Sequence, residues 1–150
     1  MQKRCVILRG MPGSGKSTFT RQLGEEAIVC SADHYFERSG EYVFNPSMLF
    51  LAHKICRNKF QAAVDAGAPL VVVDNTNIKY KDWKDYLTYA LEHGYHVTVA
   101  EAQECDIDVL IARGAHNVPR QTYEKMLNDY KTFEIPYGLA DRDRVEVVKF

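Results

Sequence analysis

The stretch Gly10-Met11-Pro12-Gly13-Ser14-Gly15-Lys16-Ser17 decides the fold. It matches G-x-x-x-x-G-K-[ST], follows the apolar run Cys5 to Leu8 and precedes residues at helical spacing, which is the strand–loop–helix context the motif requires. Glycines let successive backbone N–H groups turn inward around phosphate oxygens, in conformations that a side chain obstructs. Lys16 supplies a point charge for β- and γ-phosphates, and the Ser17 hydroxyl a ligand for Mg²⁺. The helix that follows adds the positive end of its dipole. Its expected span is Lys16 to about Leu23, with Gly24 as the carboxy-terminal cap. The motif implies a bound nucleoside triphosphate.

Outward from this loop, short apolar runs alternate with stretches at helical spacing, the pattern of a wound α/β sheet. The runs are Cys5 to Leu8, Ala27 to Cys30, Leu70 to Val73, Tyr95 to Ala100 and Val145 to Val148. Leu70-Val71-Val72-Val73 lacks polar alternation, as expected of a parallel strand covered on both faces. From Ser47, the residues Met48, Leu51, Ala52, Ile55, Cys56, Phe60 and Ala63 mark the apolar face of a helix. Lys54, Arg57, Asn58 and Gln61 mark another face, which reads either as a solvated stripe or as contacts for acceptor phosphates. Trp83, Leu87, Ala90 and Leu91 predict a third helix ending near Gly94, and Tyr123, Met126, Leu127 and Tyr130 a later one beginning around Pro119. The least regular stretches are Glu37 to Pro46, Gly114 to Val118 and Ile135 to Arg142.

Composition narrows the function classes. A chain of 150 residues, 46% hydrophobic and 26% charged, can bury roughly 68–70% of its unfolded surface in one domain without disulfide or metal. Nineteen basic against twenty acidic side chains give a formal charge of −1, which argues against coating a polyanion by bulk charge. Any nucleic-acid contact is then local, through cations such as Lys54, Arg57 or Arg120. Cys5, Cys30, Cys56 and Cys105 show no Cys-x-x-Cys spacing, so reduced thiols and a cytoplasmic setting are expected, with at least the first two cysteines buried. The run Cys5 to Leu8 is too short for a signal-peptide core, and no stretch is long and apolar enough to span a membrane.

Parallel sheets place ligands beyond the carboxy ends of their strands. After the second run comes Ser31-Ala32-Asp33-His34-Tyr35. Asp33 is placed either to accept a proton from an attacking hydroxyl or to cap the next helix or turn. After the third comes Asp74-Asn75-Thr76-Asn77, in which Asp74 reads as a Walker-B carboxylate for Mg²⁺, as an Asx-turn, or as both. Arg113, before Gly114 to Pro119, is placed to fold over a nucleotide or to satisfy a helix end at the surface. His116 has no companion ligand at useful spacing and reads as a loop histidine. Tyr35, Phe36 and Tyr42 can stack on a base, although packing is the commoner fate of such rings.

Taken in order, Gly10 to Ser17, Ser31 to Tyr35, Asp74 to Asn77 and Arg113 to Pro119 resemble the kinase domain of phage and animal polynucleotide 5′-hydroxyl kinases. The chain is also similar to the P-loop domains of the NEDD-four-binding protein group and of the myelin cyclic-nucleotide phosphodiesterase. The resemblance implies an α/β P-loop NTPase fold of the kinase type: a five-stranded parallel sheet with helices on both faces and the Walker-B strand beside the P-loop strand. It implies one kinase domain over residues 1–150 with a lid near 113–119, leaving no room for a companion phosphatase domain. ATP and Mg²⁺ are the implied cofactors. Asp33 matches the general base, Lys16 the phosphate contact, and Arg113 the lid arginine over the ATP phosphates. Gly10, Gly13, Ser14, Gly15, Lys16, Ser17, Thr18 and Arg113 would hold the nucleotide, and Ser17 and Asp74 the metal. The implied reaction is γ-phosphoryl transfer to the 5′-hydroxyl of DNA or RNA. A kinase for a small acceptor and a non-catalytic nucleotide-binding adaptor remain as alternatives. One position departs from the phage pattern: where an arginine grips the acceptor's 3′-phosphate, this chain has Phe36.

Overall fold

The computed structural model describes residues 2–114 and 118–150. Five strands form one parallel sheet: β1 (Arg4–Arg9), β2 (Ile28–Cys30), β3 (Leu70–Asp74), β4 (His96–Glu101) and β5 (Val145–Lys149). Their order is β2-β3-β1-β4-β5, so the chain leaves β1 toward one edge and later returns to build the other. The register pairs Leu8 with Asp74 and Arg9 with Glu101, aligning the ends of β1, β3 and β4. The glycine loop thus opens where strand order reverses, the position at which such sheets bind ligands.

The helices are α1 (Lys16–Gln22), α2 (Asp33–Phe36), α3 (Leu49–Asp65), α4 (Tyr80–Glu92), α5 (Ile107–Arg113) and α6 (Arg120–Thr132), with 3₁₀ turns at Pro46–Met48 and Leu139–Asp141. Alternate residues of the strands feed opposite faces. Cys5, Ile7, Val71, Val73, Val97 and Val99 share one core with Cys56 and Phe60 of α3 and Trp83, Leu87 and Ala90 of α4. Val6, Leu8, Val72 and Ala100 turn the other way, toward Phe19 and Leu23 around α1 and toward Val148 and Phe150. Burying each of these branched side chains contributes roughly 1.5–3 kcal/mol, which is why both faces of the sheet read as continuous apolar runs.

The expected first, third and last helices lie where periodicity put them. The α3 face is narrower than its sequence suggests. Ala52, Cys56, Phe60, Ala63 and Val64 are buried, but Met48, Leu51 and Ile55 are exposed. The buried stripe steps by four and then three residues along the helix, the spacing of its sheet-facing side. Two short helices, α2 and α5, are too brief to show a period. Cys5, Cys30 and Cys56 are buried free thiols, and Cys105 is half-buried and free. Among the described residues no helix is long and apolar enough to cross a membrane.

Candidate active site

The loop between β1 and α1 is shaped by two glycines. Gly13 and Gly15 have φ of 82° and 99°, the left-handed region open to glycine. A Cβ at Gly13 would lie 2.6 Å from the Leu110 carbonyl oxygen and 3.2 Å from the Arg113 Cβ. The end of α5 is therefore seated directly on the loop, and this seat places Arg113 beside it. Around Gly15 the space is open, with nothing within 4 Å of a built Cβ.

Lys16 Nζ donates to the carbonyls of Gly10 and Met11 at 2.9 and 3.0 Å, both within its own loop. Burial pushes the ammonium's pKa down, and Asp74 and then Asp33 pull it back up. Asp74, half-buried at the end of β3, has its carboxyl raised by burial. Lys16 opposes that rise, Asp33 adds to it, and His34 and a contact with the Thr20 hydroxyl oppose it. Lys16, Asp33 and Asp74 thus form one electrostatic group at the ends of β1, β2 and β3.

Asp33 opens the one-turn helix α2 and is exposed. Tyr42 Oη donates to its Oδ1 at 3.4 Å, and burial followed by Asp33 pushes the phenol up to about 12, so it stays a donor. Phe36, on the same turn, is 2% exposed and packs with Ala32 and Ala52. This removes Phe36 from the rings that could stack on a base: it is core. Tyr35 is half-buried, with the Arg38 guanidinium 3.9 Å above its ring. Lys54, Asn58 and Gln61 are exposed along α3 and Arg57 is half-buried, the solvated stripe. Ser17 and Thr18 are exposed at the start of α1. His116 lies outside the described residues.

Three participants were not singled out by their sequence positions. Asn75 Oδ1 accepts the Ala32 N–H at 2.9 Å, tying the turn before Asp33 to the loop after Asp74. Thr20 lies one helical turn beyond Lys16 and accompanies Asp74. Arg9, one residue before the glycine loop, is buried; its signal is a charge inside an otherwise apolar strand.

These features fit a nucleotide's phosphates. Ser14 Oγ is buried without a hydrogen-bond partner, and Lys16 makes no ion pair with a carboxylate among the described residues, so both keep capacity for phosphate oxygens. Ser17 and Asp74 offer the hard oxygen donors that suit Mg²⁺. No cluster of three or more metal-binding side chains exists among the described residues.

Comparison with known proteins agrees with this geometry. A family model described as an AAA domain matches residues 5–133. Human NEDD4-binding protein 2 is 32% identical over 134 residues, covering 85% of this chain; the chain spans 8% of that relative's length. In the structure of a Pnkp1/Rnl/Hen1 RNA repair complex, one chain superposes with a TM-score of 0.68 at 20% identity, covering 87% of this chain and 44% of that one. Kti12 from Chaetomium thermophilum, solved with ADP-AlF3, superposes with a TM-score of 0.62 at 16% identity over 97% of this chain and 89% of its own. The glycine loop at the switch point, the β2-β3-β1-β4-β5 order and the match over residues 5–133 make this chain a member of the AAA domain family, with a P-loop fold of the kinase type.

Proposed function

We propose that the chain is an ATP-dependent phosphotransferase acting on a hydroxyl, with the 5′-hydroxyl of DNA or RNA as the preferred acceptor. The observation that carries this reading is the convergence of Lys16, Asp33 and Asp74 at three adjacent strand ends, under an α5 terminus that delivers Arg113 to the glycine loop. The likeness to a chain of the Pnkp1/Rnl/Hen1 RNA repair complex and to Kti12 in complex with ADP-AlF3 supports the class.

In this reading Gly10, Gly13, Ser14, Gly15, Lys16, Ser17 and Thr18 hold the phosphates. Lys16 leaves its two loop carbonyls for the β- and γ-phosphate oxygens. Asp33 accepts the acceptor's proton as its oxygen bonds to the γ-phosphorus and the bond to the bridging oxygen breaks, leaving ADP. Arg113, in a lid near 113–119, meets the charge that spreads over the transferred group. Ser17 and Asp74 would hold Mg²⁺, which would supply positive charge to offset that of the phosphates. The 150 residues act as one kinase domain, and the four free cysteines suit a reducing, cytoplasmic setting.

A second reading, a kinase for a nucleoside, nucleotide or sugar, is favoured by one observation. Phe36 is core, so α2 offers an acceptor phosphate no cation at that position. The test is incubation with γ-labelled ATP, Mg²⁺ and a panel of 5′-hydroxyl oligonucleotides, nucleosides and sugars. Label on oligonucleotides alone establishes the first reading; label confined to small acceptors replaces it with the second.

A further inference from the structure

Arg9 is the residue that the chemistry above leaves unused, although it is among the most deeply buried side chains of the molecule, at 1% exposure. Its Nε donates to the Asn77 carbonyl at 2.8 Å, and its Nη2 to the Ile78 carbonyl at 2.6 Å. Its Nη1 pairs with Glu101 at the end of β4. Above the guanidinium lies the Phe133 ring, 3.7 Å from Cζ, with the Tyr130 ring at 5.2 Å and Trp83 at 5.9 Å. One planar group on the strand that enters the P-loop therefore meets four other pieces of chain: the loop that follows Asp74, the end of β4, α4 through Trp83, and α6 with the residue that ends it.

Such burial is costly for a charge, and burial does push the guanidinium's pKa down against the opposing pull of Glu101. An apolar side chain would fill the space without that cost, so the position asks for what only a guanidinium offers: a rigid fork of donors together with a stacking face. The surrounding backbone has the same aim. Asn77 sits at φ 47°, buried, and its Nδ2 donates to the Leu8 carbonyl at 2.7 Å. The Gly10 N–H donates to the Thr76 carbonyl at 3.0 Å. The loop after Asp74 is thus bonded to β1 on both sides of Arg9, while α6 reaches the same residue through rings. Since α5 packs on α6, with Leu110 and Ile111 in one apolar cluster with Tyr123 and Met126, the placement of α6 bears on how Arg113 meets the P-loop.

We infer that Arg9 is a positioning residue for phosphoryl transfer: it clamps the carbonyls of Asn77 and Ile78 and the rings of α6 to the base of the P-loop, so that Asp74 and Arg113 keep a fixed geometry relative to Lys16. The inference rests on the kinase reading for its kinetic consequence, and on the contacts alone for the clamp.

Two variants test it from opposite ends. Arg9→Lys keeps the charge but cannot span both carbonyls and Glu101; Phe133→Leu leaves Arg9 in place and removes its stacking partner on the α6 side. Leu139→Ala, a buried position in the 3₁₀ turn that packs on β5 and makes none of the Arg9 contacts above, serves as the control for destabilisation alone. Measured well below each melting temperature, both clamp variants are expected to lose at least tenfold in kcat with less than threefold change in the KM for ATP. Leu139→Ala should lower Tm and keep kcat. Combined with Arg113→Ala, Phe133→Leu should cost little more than Arg113→Ala alone, because the α6 side of the clamp acts by placing Arg113.

Hydrogen exchange reads the clamp without turnover: amides of residues 74–79 should exchange faster in both clamp variants and not in the control. Wild-type kcat in the clamp variants, or unchanged exchange across 74–79, overturns the clamp. An inactive wild-type chain whose clamp variants still exchange faster across 74–79 overturns the kinase reading and leaves the clamp standing.

Discussion

Asp33 and Asp74 are both carboxylates within the electrostatic reach of Lys16, yet their surroundings divide their work. Asp74 is half-buried, with its carboxyl raised by burial and answered by Lys16, which suits a fixed ligand. Asp33 is exposed on a single helical turn, and Tyr42 donates to its Oδ1, an exposure that suits a group meeting an incoming hydroxyl. Replacing Asp33 by Asn nearly preserves shape and removes the proton acceptor. Asp33→Asn should therefore lower single-turnover transfer by roughly 10² to 10⁴, the range for general acid–base assistance, while ATP affinity barely changes. Transfer near the wild-type rate with ATP bound would leave Asp33 as the first residue of α2 and nothing more. Both carboxylates were legible in the sequence because each lies at or just beyond the carboxy end of an apolar run. Tyr42 and Asn75 were not, since their partners lie nine and forty-three residues away across stretches with no periodicity to predict the approach.

At the scale of elements, the contact between α5 and the P-loop is the joint on which the arginine's reach depends. Sequence placed Arg113 before an irregular segment but gave no sign that α5 lies on Gly13, because a helix of seven residues carries barely two turns of pattern. Gly13→Ala tests the joint. It adds left-handed strain of about 1–3 kcal/mol and also drives a Cβ to within 2.6 Å of the Leu110 carbonyl, so Tm and ATP affinity should fall together. Gly40→Ala also meets a positive φ but has open space around it, so it should lose less stability and keep ATP affinity. The longer α3 was legible as a helix but not in its exact face, and one of its residues is expected to make the fold sensitive to acid. Burial, then Arg57, pushes the His53 imidazole down, against Asp82 and Asp33. Its folded pKa is thus below the unfolded one, about 6.5. As pH falls through that window the unfolded chain binds the proton first, so stability drops. Tm measured from pH 7.5 to 5 should fall less steeply in His53→Gln than in wild type; parallel curves would remove His53 as a cause of acid sensitivity.

For the whole molecule, strand order and charge set what the site can accept. The switch point at β1 was legible because the glycine loop and the apolar runs each carry their own signal; which cations meet an acceptor was not, because that depends on which are already paired. Arg120, one of the cations expected to meet phosphates, is held by Asp108 at 2.9 Å and Glu124 at 3.2 Å. A groove of about 600 Å³ between the start of α4 and α6 is lined by Lys79, Lys81 and Lys125. Its carboxylates are engaged, Asp82 by the Lys79 N–H and Asp129 by Lys79 Nζ at 4.0 Å. Lys81 and Lys125 make no ion pair among the described residues, and neither does the exposed Lys54. With a net charge of −1 there is no bulk field to add to these three. Each phosphate contact on a single strand contributes about −0.7 to the slope of log K against log salt, so an oligonucleotide acceptor should bind with a shallow slope of about −2. Reversing charge at both groove positions, Lys81→Glu with Lys125→Glu, should flatten it to about −0.7, the share left to Lys54. Transfer to a nucleoside should be untouched by the same pair of substitutions. A slope near zero in the wild type would mean that no backbone phosphate is gripped, and the acceptor would then be a small molecule.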